Sequence, residues 1–361
     1  MSAWKYKQVT PKILVSKLRL IQAKEIVGLV GSPVDQVYLQ LAKTPYQKEI
    51  SEIPSQQINS ISLEGALLEN FLRTVDEIAE FSPKSIRVLL TRILMKFEAN
   101  TLKAILRAKS GGIPADRAME YIVPAGELNA TKCREILKNS AGVRDVVKLV
   151  SDLEYGPALE NALEKYDRTG ALLALEVAVD RHVYSRIWKA IKKLRGLDGR
   201  IARTILGLEI DSMNIRVILR LREAGISQDQ AREYLIPISE VFGRKDLEDA
   251  IQAEDARSTI GHMLKAAKLN LARDHQQLLQ DLIREYETHK SLSRLETILD
   301  RELLKTSLRM LRRYTPFFNI GFILAFLNLK WFELRNLRII IRGAEEKIPA
   351  AKTKELLILL N

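Results

Sequence analysis

The chain has 361 residues, 47% hydrophobic and 28% charged, with 17 Gly, 11 Pro and one Cys, which excludes disordered, collagen-like and low-complexity classes. Lys and Arg outnumber Asp and Glu by 57 to 45, a formal +12, so a polyanionic partner is expected: nucleic acid, an acidic protein or an anionic membrane surface. The lone Cys133 rules out an intramolecular disulfide framework, and His182, His262, His275 and His289 lie far apart, so cysteine-rich zinc sites are excluded and no metal site is expected.

In chain order, the opening Met-Ser-Ala-Trp-Lys-Tyr-Lys has no apolar h-region and no small-residue cleavage site, which predicts a cytoplasmic protein. Apolar residues then recur at spacings of three and four, as in Ile86, Leu89, Leu90, Ile93, Leu94 and again in Leu303, Leu304, Leu308, Leu311. Gly and Pro fall between such segments, as in Ser110-Gly111-Gly112-Ile113-Pro114, and alternating β-branched runs are absent. The prediction is an all-α protein. The longest apolar stretch, Phe317 to Leu329, contains Asn319 and Asn328 and is 13 residues long. A spanning helix needs about 20, so it reads as a buried helix.

Three 27-residue segments align without gaps from Glu98, Asp211 and Glu333: EANTLKAILRAKSGGIPADRAMEYIVP, DSMNIRVILRLREAGISQDQAREYLIP and ELRNLRIIIRGAEEKIPAAKTKELLIL. Four columns are identical: Ile105/Ile218/Ile340, Arg107/Arg220/Arg342, Ile113/Ile226/Ile348 and Glu120/Glu233/Glu355. Lys103/Arg216/Arg338 and Thr101/Asn214/Asn336 match in chemistry. Each copy reads as a helical hairpin whose first helix carries one apolar stripe flanked by two basic positions a turn apart. A break follows, with Gly112 and Gly225 in two copies, and Pro114, Ser227 and Pro349 mark the start of the second helix, Ser227 with Gln230 forming a capping box.

Upstream, Leu175-Glu176 and Asp180-Arg181 recur as Leu295-Glu296 and Asp300-Arg301, and Gly31 to Tyr46 can be laid on Ser140 to Tyr155. The predicted division is three similar multi-helix units, 1–125, 126–238 and 239–361, with pseudo-threefold symmetry. No Walker loop, GxGxxG, GxSxG elbow or HExxH is present, and acidic groups such as Glu345-Glu346 or Asp246/Glu248/Asp249 read as solvated faces, so no catalytic residues are expected.

The stretch Leu175 to Pro237, with LEVAVDRHVYSRIWKAIKKLRG, ILGLEIDSMNIRVILR and EYLIP, together with LNLKWFELRNLRIIIRG, resembles the C-subunit family of the archaeal and bacterial V/A-type ATP synthases, homologous to the eukaryotic vacuolar ATPase d subunit. Leu41-Ala42-Lys43-Thr44-Pro45-Tyr46 fits the family's Leu-x-x-Thr-x-Tyr pattern, and the likeness covers the whole chain with the first unit most diverged. The resemblance implies a funnel of three units on the cytoplasmic side of the membrane. It would be a peripheral, non-catalytic rotor subunit without cofactor or small-molecule ligand. Its partners would be the proteolipid ring and the central-stalk subunits D and F.

Since the ring and the stalk differ in symmetry, repeat-invariant residues are expected to be mainly structural, with Arg107, Arg220 and Arg342 pairing across the hairpin with Glu120, Glu233 and Glu355; partner binding is the other reading. Residues that differ between units are better contact candidates. Lys189, Lys192, Lys193, Arg195 and Arg200 form one basic cluster, and Lys305, Arg309, Arg312 and Arg313 form another on one helix face. Each reads either as a solvated face or as a surface for acidic stalk subunits or anionic lipid headgroups. His182 and Trp188 are expected packed or half-buried. The rival function is a basic all-α scaffold binding nucleic acid; 6% aromatics and interleaved acids weigh against it, and no nucleic acid is expected.

Overall fold

The computed structural model describes residues 3–223, 227–270, 272–313 and 318–359. Helices account for its regular structure, and no strand occurs among the described residues. The chain runs through α1 (Val9–Leu18), α2 (Ala23–Gly28), α3 (Val34–Leu41), α4 (Gln47–Ser51), α5 (Ser60–Glu80), α6 (Lys84–Ser110) and α7 (Ala115–Met119). It continues through α8 (Ala130–Asn139), α9 (Val143–Leu149), α10 (Gly156–Thr169), α11 (Leu173–Lys192), α12 (Gly196–Glu223) and α13 (Gln228–Tyr234). The last group is α14 (Arg244–Gln252), α15 (Ala256–Leu269), α16 (Arg273–His289), α17 (Leu292–Arg313), α18 (Ile320–Glu345) and α19 (Ala350–Glu355).

One order therefore occurs three times. A helix of 21, 20 or 22 residues (α5, α11, α17) is followed by one of 27, 28 or 26 (α6, α12, α18) and then by a short one (α7, α13, α19). By packing, the chain forms two compact units, Met1–Val183 with Phe326–Asn361, and Tyr184–Ala325. Both passages between them fall inside long helices, α11 and α18.

Local chemistry sets the helix ends. Asn59 caps α5 by accepting the Ser62 N–H at 2.9 Å while the Ser62 hydroxyl takes the Asn59 N–H, and Asn129 and Asp255 cap α8 and α15 by accepting the N–H groups of Lys132 and Ser258. Pro83, Pro114 and Pro349 sit immediately before α6, α7 and α19, where a missing N–H costs nothing. At the end of α6, Gly112 turns left-handed (φ 64°) so that the Ile113 N–H reaches back to the Ala108 carbonyl at 2.9 Å. The third copy makes the same turn with Lys347 at φ 54° and Ile348 bonded to Gly343 at 2.8 Å. Gly225, Ile226 and the side chain of Gln230 lie outside the described residues, as does Phe317.

In the first unit the rings of Phe71 (α5), Phe97 (α6) and Trp331 (α18) meet at centroid distances of 5.2–5.6 Å. In the second, Ile215, Ile218 and Leu219 of α12 join one core with Ile260 and Met263 of α15, Leu278 and Leu282 of α16 and Leu295 of α17. Ile105, Ile218 and Ile340, identical in the repeat, are all buried. The apolar run before Leu329 enters α18, where residues 320–327 are buried; among the described residues no helix is long and apolar enough to cross a membrane.

Candidate functional site

The repeat-identical arginines do form ion pairs, but with other carboxylates than the sequence suggests. Arg107 grips Glu176 of α11 with Nε at 2.6 Å and Nη2 at 2.9 Å, and Arg220 grips Glu296 of α17, Nε at 2.5 Å and Nη2 at 2.8 Å. Arg342 reaches both oxygens of Glu64 on α5. The bidentate bonds hold all three guanidiniums more firmly protonated than usual. Pairing with Glu120, Glu233 and Glu355 is thereby corrected: those carboxylates are exposed, at the ends of short helices. The second basic position follows the same rule. Lys103 bonds Asp180 at 2.7 Å, Arg216 bonds Asp300 at 2.8 Å, and Arg338 bonds Glu64 at 2.8 Å.

The partners are themselves a repeat. Glu176/Asp180 and Glu296/Asp300 stand at one register of α11 and α17, and Leu63-Glu64 supplies the same register on α5, with Leu68 where the others have Asp. One buried Glu64 therefore serves two guanidiniums. The first repeat's α6 is tied to the second's α11, the second's α12 to the third's α17, and the third's α18 to the first's α5.

A second recurring set lies midway along the longest helices, where the repeat begins. Asp211 accepts the N–H groups of Glu240 and Val241 and faces His275 Nε2 at 2.8 Å. Glu98 accepts the Glu127 N–H at 2.9 Å, and burial raises its pKa; the Tyr155 hydroxyl donates to the Met95 carbonyl one turn earlier on α6 at 3.1 Å. Both acceptances fall 29 residues downstream. In the third copy Glu333 bonds instead to the N-terminal segment, accepting the Ile21 N–H at 2.5 Å and the Tyr46 hydroxyl at 2.7 Å. Lys330 Nζ completes this buried group, 2.9 Å from Glu333 and 3.8 Å from the centre of the Tyr46 ring. Burial lowers the Lys330 pKa, and burial together with Glu333 raises that of Tyr46. Tyr46 and Tyr155, matched in the sequence alignment, occupy equivalent places before α4 and α10.

The Thr101/Asn214/Asn336 column is a clamp. Asn214 donates to the Ile236 carbonyl and accepts its N–H, and Asn336 does the same with Ile358. Thr101 gives only the donating half, to Val123 at 2.7 Å.

The basic clusters behave differently from these joints. Lys189, Lys192, Lys193, Arg195 and Arg200 are all exposed, and none makes an ion pair among the described residues. In the second cluster Lys305 is tied to Glu302 at 2.5 Å and Arg309 to Asp274 at 2.9 Å, whereas Arg312 and Arg313 are exposed. Nor do the clusters distinguish all the repeats: Lys189, Lys192 and Lys193 recur 120 residues later as Arg309, Arg312 and Arg313. The first repeat has Glu77, Glu80 and Phe81 at that register of α5. His182 is half-buried beside Tyr155, with ring centres 5.5 Å apart, and Trp188 is half-buried. Of the acids read as solvated, Glu345 takes the Ser60 N–H and hydroxyl, and Asp246 takes the Gly243 N–H. Cys133 is buried and its thiol is pushed up to about 11. No cluster of metal-ligating side chains occurs among the described residues.

Residues 9–356 match the family of the ATP synthase (C/AC39) subunit. Similar proteins include the C subunit of the A-type ATP synthase of Methanothermobacter thermautotrophicus, 28% identical over 84% of this chain and 76% of the relative. That of Methanocaldococcus jannaschii is 24% identical over 98% and 86%, and that of Haloferax volcanii 26% over 97% and 98%. With the match running through all three copies of the repeat, the chain belongs to the ATP synthase (C/AC39) subunit family, a family of non-catalytic subunits.

Proposed function

We propose that this chain is the rotor socket of an A-type ATP synthase, bound on one side to the central-stalk subunits D and F and on the other to the membrane proteolipid ring. It passes torque between proton or sodium flow and ATP synthesis or hydrolysis, and sits on the cytoplasmic face of the membrane. Support comes from the relatives, each the C subunit of an A-type ATP synthase. The observation that carries the mechanical part is the cyclic order of the joints: α6 to α11, α12 to α17, and α18 back to α5. Three units, 1–125, 126–238 and 239–361, linked in that order close into a pseudo-threefold funnel. A closed ring transmits torque because no terminal unit can peel away; the same joints recur with the acids Glu98, Asp211 and Glu333.

The exposed cations Lys189, Lys192, Lys193, Arg195, Arg312 and Arg313 supply a surface for acidic partner subunits, whereas Lys305 and Arg309 serve first as internal ties. Affinity purification of the tagged chain from gently solubilised native membranes tests the reading. Recovery of D, F, the proteolipid and the ATPase head is expected. Their absence, with nucleic acid bound in a steeply salt-dependent way, would overturn it in favour of a nucleic-acid scaffold.

A further inference from the structure

Helix α1 carries apolar residues on two faces. Val9 and Ile13 are buried towards the first unit's core, and α1 packs on α5. Pro11, Leu14, Val15 and Leu18, at i, i+3, i+4 and i+7, form a second stripe, and all four are exposed, Leu18 by 87%; Pro11 and Val15 border a cleft shared with Thr74, Glu77 and Ile78 of α5, and Leu14 and Leu18 lie beyond it. Trp4, just before the helix, is 72% exposed with Lys7 Nζ 4.1 Å from its ring centre. Four of the ten large hydrophobic side chains left exposed among the described residues thus fall within residues 4–18. Scattered exposed leucines need no explanation, but an ordered stripe beside an exposed tryptophan does.

The charge of this segment selects its occupant. Residues 1–24 hold Lys5, Lys7, Lys12, Lys17, Arg19 and Lys24 and no acidic residue, although the whole chain averages four acids to five bases. The acid that α5 sets beside Pro11 and Val15, Glu77, is already paired with Arg73 at 2.7 Å. Lys12 lies over the Phe81 ring at 3.7 Å, so α1 places cations at the very helix end where α11 and α17 carry their own. Aromatic and leucine side chains flanked only by lysine and arginine fit a surface that is apolar below and anionic above.

We propose that α1 and the turn before it dock on an anionic lipid bilayer, with Trp4, Leu14, Val15 and Leu18 entering the headgroup boundary and the flanking cations meeting lipid phosphates. The inference does not rest on assembly with other subunits, so co-purification and vesicle binding test separate statements.

The test is co-sedimentation of the full chain with vesicles of phosphatidylcholine alone or mixed with phosphatidylglycerol. Binding to the anionic vesicles, weakened by salt and accompanied by a blue-shifted fluorescence component absent in Trp4→Phe, is expected. Leu14→Asn/Leu18→Asn weakens it at least about tenfold, as does Lys17→Glu/Arg19→Glu. Both pairs are solvent-exposed, so thermal melting stays that of the parent. If the leucine pair lowers the melting temperature, the charge pair decides. Equal binding to neutral vesicles, no binding to anionic ones at low salt, or undiminished binding by the charge pair overturns the proposal.

Discussion

Glu64→Gln is the sharpest test of the joints, because here one carboxylate holds two guanidiniums. The side chain of Glu64 is only 4% exposed, yet it takes Arg338 Nε at 2.8 Å and both Nε and Nη2 of Arg342. Gln has the same size but one accepting oxygen, and its amide turns donors towards guanidinium donors. A charge-assisted bond contributes about 1.5–3 kcal/mol, and the loss of one partner of a fully buried pair costs about 3–5. Arg338 and Arg342 are 38% and 56% exposed, so water recovers part of what they lose. The expected loss is therefore about 2 kcal/mol. Arg107→Ala and Arg220→Ala, whose guanidiniums are 62% and 61% exposed, should each cost no more than about 1 kcal/mol. Urea unfolding followed by circular dichroism reads the difference, and hydrogen exchange shows where it falls: amides of α5 and α18 should lose protection first. Leu68→Asp in the Glu64→Gln background restores a carboxylate at the Asp180/Asp300 register and should recover part of the loss. A Glu64→Gln protein within about 0.5 kcal/mol of the parent would refute the assignment of Glu64 as a joint.

Other expectations follow from single contacts. Asn336→Ala strands the N–H and carbonyl of buried Ile358 and should cost about 2 kcal/mol in urea unfolding, whereas Thr101→Ala, which loses one bond to Val123, should cost about 1. Lys347→Gly relieves a left-handed lysine at the position Gly112 holds in the first copy and should raise stability by about 0.5–1 kcal/mol, read as a higher denaturation midpoint. Burial acts to raise the pKa of Glu49, but bonds from Asn70 and Arg73 outweigh it and hold it below the ordinary 4.5. A depressed carboxyl stabilises the fold above its unfolded pKa and loses that contribution as pH falls through the folded value. The advantage of the parent over Glu49→Gln should therefore be full at pH 7 and shrink as the pH drops below about 4.5.

Helix period and breaks carry the fold class in plain view, since the stripe Leu102, Ile105, Leu106 and its copies can be buried only as helices. The repeat likewise points to Arg107, Arg220 and Arg342 as structural. Their partners are hidden because each carboxylate sits on a helix of another repeat, 69 and 76 residues downstream or 278 upstream. Local spacing favours Glu120, Glu233 and Glu355, but one turn of helix after a tight break leaves those carboxylates exposed. The signal that could have found Glu64 is the dipeptide Leu63-Glu64, matching Leu175-Glu176 and Leu295-Glu296 and obscured by Leu68 in place of Asp. Buried groups such as Lys330–Glu333–Tyr46 depend on residues 287 positions apart, which no periodicity encodes.

The joints keep an arginine–glutamate pair in all three copies, whereas the register Lys189/Arg309/Glu77, Lys192/Arg312/Glu80 and Lys193/Arg313/Phe81 is wholly basic in two repeats and carries two acids and a phenylalanine in the first. If the chain holds a central stalk as proposed, three equal sets of side chains would leave the angle of that stalk undetermined, whereas a set with one unlike member would fix it, because only one orientation matches every charge. Lys189→Glu/Lys192→Glu/Lys193→Glu tests this separation of roles. None of the three lysines is ion-paired among the described residues, so their reversal should cost stability only through unfavourable charge at the end of α11, less than about 1 kcal/mol. Binding of purified D–F stalk, measured by calorimetry, should weaken at least about tenfold and lose most of its salt dependence. Glu64→Gln should show the reverse pattern, with stability reduced and stalk affinity kept below its melting point. If the charge reversal leaves stalk affinity unchanged while Glu64→Gln abolishes it at full stability, the roles are exchanged: the invariant joints bind the partner, and the basic helix ends are only a solvated face.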